Sequence, residues 1–209
     1  MRLRNLVVYL MVMAFVGIAV CSKARAEEAA GDKQAQGAQG GEEQKQAGPY
    51  FVVVEGKYGY IDKEGKVVIE PQFEWGDRFA EGFASVKQGG KYGYINPEGK
   101  FIAEPQFDAG WEFSQGLASV KKEGKYGYID TKGEIAIIPQ FDFGWRFAED
   151  RARVQVGTKW GFIDKAGKRI VEPKFNEAWD FEQGLARVKL GDQIGYINPE
   201  GKYVWEPTK

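Results

Sequence analysis

The chain of 209 residues has no histidine and only one cysteine, Cys21. Without histidine it lacks the commonest general base, the serine triads that depend on histidine, and the usual Cys/His zinc sites. A thiol nucleophile is excluded as well once Cys21 leaves with an N-terminal signal. These absences predict a protein that is not an enzyme and that has no cofactor and no metal site.

Long apolar runs are also missing. The longest one, from Leu6 to Val20, falls short of the roughly 20 residues that a spanning helix needs. It follows two arginines and precedes Ala24-Arg25-Ala26, the small-residue ending of a secretory signal. We therefore predict a signal peptide over residues 1–26 and export to the periplasm or the extracellular space. Cys21 leaves one alternative open, a lipid anchor at that residue.

Neither sign of charge is in large excess. Residues 1–26 contain four basic side chains and no acidic one, which leaves 25 Lys and Arg against 30 Asp and Glu, a formal net charge of −5. A mildly acidic protein lacks the basic footprint that nucleic acids and anionic membranes require. We therefore expect no nucleic-acid partner, and no stable membrane span after the signal is removed.

Residues 27–49 contain no aromatic and no branched aliphatic side chain. Such a segment cannot bury enough apolar surface to offset the conformational entropy that folding removes. We predict a flexible low-complexity tether over 27–49, followed by a folded domain over 50–209.

The rest of the chain is a tandem repeat with one fixed period. Its most regular glycines are Gly59, Gly93, Gly127, Gly161 and Gly195, evenly spaced along the sequence. We call a set of equivalent positions in successive units a column. A second glycine column is Gly65, Gly99, Gly133, Gly167 and Gly201, and a proline column is Pro71, Pro105, Pro139, Pro173 and Pro207. A period that holds in several columns without insertion indicates five copies of one three-dimensional unit.

Each unit has the pattern of three antiparallel strands. Residues 84–87 alternate between small apolar and polar side chains, which is typical of a half-buried strand. Residues 91–96 are apolar on both faces and predict the central strand. A third strand, such as 66–70, is expected to end at the following proline, because proline removes a donor from the ladder. The left-handed glycines of the second column, Gly133 among them, should close the hairpin between the second and third strands.

The stretch that connects one unit to the next, for example 106–116, is too irregular to predict as a strand. It contains the column of Trp111, Trp145 and Trp179. We expect these rings to pack over the glycine of the central strand, where the missing side chain leaves room. Contact with a ligand is the alternative.

These patterns predict an all-β fold. We expect a tandem array of five 34-residue, three-stranded antiparallel units in an open solenoid-like stack. A closed propeller-like or barrel-like ring of the five units is the alternative.

The unit also resembles a known family. Its pattern is Trp/Tyr-Gly-Tyr/Phe-Ile-Asp-x-x-Gly-Lys, then Glu-Pro-x-Phe, then Phe-x-x-Gly-Leu-Ala, and this is similar to the bacterial WG-repeat (KWG) proteins. The resemblance covers about residues 50–209, although only Trp160-Gly161 keeps the literal dipeptide. It implies a β-rich repeat scaffold that usually has no assigned activity, and it brings no functional residues with it.

Two sets of residues are candidates for binding. Basic side chains on the polar face of the first strands should form a solvated stripe outside the core, and they are Lys87, Lys121, Arg153 and Arg187. The second set is the tryptophan column of Trp111, Trp145 and Trp179. We therefore expect an exported, non-enzymatic repeat scaffold that mediates protein–protein interaction. The alternative is a binder of carbohydrate or cell wall, with a cell-envelope polysaccharide as partner, that uses the aromatic side chains.

Overall fold

The structure is a computed structural model, and it describes residues 48–207. The predicted signal peptide (1–26) and almost all of the predicted tether (27–49) lie outside the described residues. Between residues 48 and 207 the chain forms β-strands joined by turns, with no helix.

The strands group into five antiparallel sheets. The first sheet contains β1 (Tyr50–Val54), β2 (Lys57–Ile61) and β3 (Val67–Phe73). The second contains β4 (Trp75–Gly76), β5 (Ala84–Gln88), β6 (Lys91–Ile95) and β7 (Phe101–Phe107). The third contains β8 (Ala109–Ser114), β9 (Leu117–Lys122), β10 (Lys125–Asp130) and β11 (Ile135–Phe141). The fourth contains β12 (Phe143–Gly144), β13 (Arg151–Val156), β14 (Lys159–Asp164) and β15 (Arg169–Phe175). The fifth contains β16 (Glu177–Ala178), β17 (Ala186–Leu190), β18 (Gln193–Ile197) and β19 (Tyr203–Trp205).

The three predicted strands of each unit are present, but the connector adds a fourth in the last four sheets. There the connector pairs with the first main strand of its own sheet, as Gly76 does with Val86. The fourth strand is only two residues long in three sheets and reaches six residues in β8. The prediction that 106–116 has no strand is therefore wrong.

In the first four units the proline does not end its strand, because it lies in a bulge, whereas in the fifth unit β19 ends at Trp205, before Pro207. In the third sheet, Tyr126 pairs with Phe141 and Tyr128 with Ile137, so three residues around Pro139 face the single residue Gly127. A bulge leaves the proline without a ladder hydrogen bond to donate, which is why the strand tolerates it.

The central glycine is needed at this bulge. A Cβ on Gly127 would lie 2.4 Å from the carbonyl oxygen of Ile137 and 2.6 Å from the nitrogen of Pro139. The space beside the glycine is thus filled by the neighbouring strand's backbone. The expectation that a tryptophan ring packs there is wrong.

The hydrophobic core lies between successive sheets. On the central strand β6, Ile95 belongs to a cluster shared with the first sheet, and Tyr94 belongs to a cluster shared with the third. The same division recurs on β10 and β14. An inner sheet is therefore covered on both faces, which confirms the prediction of a central strand that is apolar on both sides.

Three of the four cores are closed by a tyrosine that reaches into the connector after its own sheet. The hydroxyl groups of Tyr60, Tyr94 and Tyr128 donate hydrogen bonds to the carbonyl oxygens of Asp77, Trp111 and Trp145, at 2.9, 2.8 and 2.7 Å. In the fourth unit this column holds Phe162, which has no hydroxyl. Burial raises the pKa of Tyr60 and of Tyr128, so both remain neutral hydrogen-bond donors.

Charged side chains join successive units at the surface. The column that follows the tryptophans alternates in sign and reads Arg78, Glu112, Arg146, Asp180. Arg78 lies 2.9 Å from Glu112, and Arg146 lies 3.7 Å from Glu112 and 3.6 Å from Asp180. The result is an ion-pair ladder along the array.

A second ladder uses side chains in tight turns. Glu81 has a positive φ of 52°, and its carboxylate accepts hydrogen bonds from the backbone N–H groups of Gln115 and Gly116 in the next unit, at 2.6 and 2.7 Å. Glu149 accepts one from Gly184 at 2.8 Å. Each of these turns is therefore capped by the unit before it.

None of the five sheets closes on itself, and each packs against its sequence neighbours. The predicted open, solenoid-like stack of 34-residue units is confirmed, and residues 48–207 form no closed ring. Over residues 48–207 no helix of a length and apolarity suited to crossing a membrane occurs.

Candidate functional site

Two of the four predicted basic residues lie over tyrosine rings, one of them half-buried (Tyr92) and one buried (Tyr126). The Lys87 ammonium is 5.4 Å from the centre of the Tyr92 ring, and that of Lys121 is 5.6 Å from the centre of the Tyr126 ring. Both lysines are half-buried. Their alkyl stems cover aromatic surface while the charged ends reach towards water.

Arg153 is not the solvated strand residue that the alternation predicted. Only 17% of its side chain is exposed. Its guanidinium donates a 2.5 Å hydrogen bond to the carbonyl oxygen of Ala178 in the following sheet and lies 2.9 Å from the Asp180 carboxylate in the connector after β16. In the same column the buried Ser119 donates to the Gly144 carbonyl oxygen at 2.7 Å. This column joins successive sheets, so the prediction that Arg153 lies outside the core contacts is wrong.

Arg187 occupies the same column in the fifth sheet. Its guanidinium stacks on the Trp179 ring at 3.8 Å from the ring centre. Arg153 also stacks on aromatic rings, at 4.9 Å from Trp145 and 5.4 Å from Trp160. Where Arg153 and Arg187 stack on Trp145 and Trp179, the basic and the aromatic candidates, which the sequence suggested as separate sites, form one surface.

The tryptophans of this surface are half-buried and tilted. The Trp111 and Trp145 rings lie 5.7 Å apart at an angle of 48°, and Phe143 stacks on Trp145 at 5.6 Å. Trp111 also packs against the core between the third and fourth sheets. The rings therefore serve partly as core, and they do not form a row of parallel exposed platforms.

The structure adds a surface that the sequence did not suggest, formed by two isoleucines on β11. Ile138 is 72% exposed and Ile135 is exposed as well. In the fourth sheet the same two positions hold Arg169 and Glu172, which form an ion pair at 3.0 Å. The third unit thus has two exposed apolar side chains where the fourth has an ion pair.

A shallow pocket of about 240 Å³ adjoins Ile138. It is lined by Lys122, Glu123, Lys125, Ile138 and Pro139. We call Ile135, Ile138 and this pocket the β11 patch. An apolar group with polar positions around it is the composition that protein-binding surfaces share.

Ion pairs at the hairpins perturb the titration of two aspartates. A hydrogen bond from Lys91, 2.5 Å from the Asp108 carboxylate, holds the pKa of Asp108 below its ordinary value. Lys125 does the same to the pKa of Asp142, which also accepts a bond from the Gly157 N–H. Both carboxylates accept hydrogen bonds from backbone N–H groups of hairpin turns and so stabilise those turns. Among the side chains of residues 48–207, no cluster of three or more His, Cys, Asp or Glu is placed to hold a metal ion.

These features define a class, the all-β tandem-repeat proteins whose units stack through shared cores. The family model described as "WG containing repeat" matches residues 58–92, 92–126, 126–160 and 160–193. The matched residues make up more than half of the chain, and the chain belongs to this family. A comparison with curated proteins gave no match.

Solved structures give partial likenesses. The extracellular domain of a hybrid two component system protein from B. thetaiotaomicron has a TM-score of 0.38 and 12% identity, over 77% of this chain and 28% of that one. A protein of unknown function from Bacteroides caccae has a TM-score of 0.31 and 13% identity, over 78% and 79%. A plant lectin from Cicer arietinum has a TM-score of 0.27 and 12% identity, over 63% and 90%.

Proposed function

We propose that the protein is an exported, non-enzymatic repeat scaffold that binds another protein through the β11 patch. The observation that carries the proposal is the 72% exposure of Ile138. Glutamate occupies this column in the other four units, as Glu70, Glu104, Glu172 and Glu206. An exposed charge on an edge strand discourages association with other chains. The replacement of that charge by isoleucine in the third unit therefore favours a binding contact at this position.

The side chains around Ile138 indicate the chemistry of the partner. Lys122, Glu123 and Lys125 line the pocket beside Ile138, and the Lys125 ammonium is already paired with Asp142. An apolar side chain of the partner would enter the pocket, and an acidic neighbour would face Lys122. A carbohydrate ligand has less support, because the tilted, half-buried indoles offer no flat stacking surface.

Site-specific photo-crosslinking tests this proposal. A photoreactive amino acid at position 138, introduced in the producing cell, should give a defined protein adduct that mass spectrometry identifies. The same amino acid at Glu104, the equivalent position of the second unit, is the matched control and should give little of it. The purified partner should then bind the original chain and lose about tenfold or more in affinity for Ile138→Glu, a side chain that the fold accepts in this column.

Three results would contradict the proposal. They are equal crosslinking at positions 104 and 138, adducts that contain polysaccharide and no protein, and full binding of the identified partner by Ile138→Glu.

A further inference from the structure

The fifth sheet has an apolar face that no other sheet covers within residues 48–207. Tyr196 and Trp205 on this face are 39% and 59% exposed. In the four earlier units the residues of these two columns are at most 6% exposed, because the next sheet covers them: Tyr60, Tyr94, Tyr128, Phe162, and Ile69, Ala103, Ile137, Val171. The open face therefore has the residue positions of an inter-sheet contact.

The open face also includes Arg187. Arg153, its column-mate, donates to the Ala178 carbonyl oxygen of the next sheet and pairs with Asp180 in the connector after β16. Arg187 stacks on Trp179 at the corresponding place, but the part of the chain that the structure describes supplies it with no carbonyl or carboxylate across the face.

The first sheet has an open face of the opposite kind. Tyr50, which points away from the second sheet, is 49% exposed. Tyr50 belongs to the column of Ala84, Ala118, Ala152 and Ala186, all at most 1% exposed because they pack on the preceding sheet. This face thus has the residue positions that elsewhere receive the sheet before.

We propose that the open face of the fifth sheet binds the open face of the first sheet of a second copy of this chain. Such a contact would repeat the face-to-face packing that the chain already makes four times between its own sheets. The two surfaces differ, so association is head-to-tail and does not close after two copies.

This assembly is separate from binding at the β11 patch, since the patch belongs to the third sheet and the open faces belong to the first and fifth. A test of this assembly is therefore independent of any test of the proposed protein partner.

Sedimentation velocity of the purified protein, from micromolar to near-millimolar concentration, tests the proposal. The weight-average mass should rise with concentration beyond one copy. Trp205→Lys on the fifth sheet, and separately Tyr50→Lys on the first, should each weaken association about tenfold or more, since a lysine then lies in an apolar contact. Ile138→Lys, at an exposed position on neither face, is the control and should associate like the original chain.

A mixing experiment tests the head-to-tail geometry. The Trp205→Lys chain retains an intact first sheet, and the Tyr50→Lys chain retains an intact fifth sheet. Mixed together they should form dimers and nothing larger, although each alone stays monomeric. Thermal unfolding should be close to that of the original chain for all three variants, because the replaced side chains are exposed.

The proposal is overturned if the original chain keeps the mass of one copy at the highest concentration. It is also overturned if the mixed variants stay monomeric, or if Ile138→Lys weakens association as much as the two face variants do.

Discussion

The hydroxyl of Tyr128 donates a 2.7 Å hydrogen bond to the carbonyl oxygen of Trp145, across the gap between the third sheet and the connector that follows it. Replacing Tyr128 by phenylalanine removes this donor and leaves the carbonyl without it. We expect the free energy of unfolding to fall by about 1–2 kcal/mol, measured by urea denaturation.

The fourth unit offers the reciprocal test. Phe162 is the column-mate of Tyr128, and Phe162→Tyr introduces a hydroxyl that can donate to the carbonyl oxygen of Trp179. We expect a gain of about 1 kcal/mol from the new bond. A loss in this variant, together with no loss in Tyr128→Phe, would show that the bond does not stabilise the stack.

Substitutions at two glycines of the same column can distinguish the cost of backbone strain from the cost of steric crowding. Gly65 and Gly133 have φ values of +83° and +81°, but a Cβ on Gly65 meets nothing within 4 Å, whereas the Ile102 carbonyl oxygen lies within 1.9 Å of a Cβ on Gly133. We expect Gly65→Ala to cost about 1 kcal/mol from the left-handed conformation alone. Gly133→Ala should cost on the order of 3 kcal/mol, because the adjacent strand must also shift. Equal losses in thermal unfolding would refute the predicted crowding.

The buried guanidinium of Arg153 should contribute to stability as well as to the surface. Arg153→Met keeps the length of the side chain but leaves Asp180 without its closest partner and Ala178 without its donor. We expect a loss of about 2 kcal/mol in urea denaturation, below the cost of breaking a fully buried pair. Lys121→Met is the control, and its half-buried lysine should matter by about 0.5 kcal/mol or less.

Acid should loosen the hairpins that Asp108 and Asp142 fasten. The pKa of each carboxyl is lower in the folded chain than its ordinary value of 3.8, mainly because of the hydrogen bond from Lys91 or Lys125. Their stabilisation is therefore complete above the unfolded pKa and is lost as the pH falls through the folded one. Chemical denaturation should show little change from neutral pH to pH about 5, and a decline below pH about 4.

Asp142→Asn gives the matched variant for this pH dependence. Asn176, in the same column, accepts a 2.8 Å bond from the Gly191 N–H, so asparagine preserves the turn contact and removes only the ion pair. The variant should be less stable at neutral pH and should lose less stability in acid. An unchanged acid profile would mean that the Lys125 pair does not contribute.

Export predicts a specific N-terminus. If residues 1–26 are removed as a signal, the mature chain begins at Glu27, and intact-mass spectrometry of the exported protein should give that mass. A lipid-modified Cys21, or an uncleaved chain, would contradict cleavage after Ala26.

The repeat register predicted most of the fold, because the members of a column occupy equivalent places in equivalent strands. The central strand was predictable from its composition, since Tyr94 and Ile95 are both apolar and point to opposite sides. The bulge was not predictable in this way, because a proline within a strand pattern normally ends the strand. The fixed spacing between Gly127 and Pro139 could have indicated the bulge, because it places a residue without a side chain opposite a residue without a backbone N–H.

The site was less predictable than the fold. Alternation along a strand shows which residues share a face, but it does not show whether another sheet covers that face, and Arg153 was therefore assigned to solvent. The small, buried Ser119 in its column was the sign of close packing. Ile138 was visible as an exception in a glutamate column, but only its exposure and the pocket beside it indicate a contact surface.

The alternating column of Arg78, Glu112, Arg146 and Asp180 constrains how the number of units can change. Deleting one unit brings Arg78 against Arg146, or Glu112 against Asp180, and so converts an attraction into a repulsion at the new junction. Deleting two adjacent units restores opposite signs. Loss of a single inner unit should therefore weaken the new junction by up to about 1 kcal/mol for each exposed pair, whereas loss of two adjacent inner units leaves the charges matched.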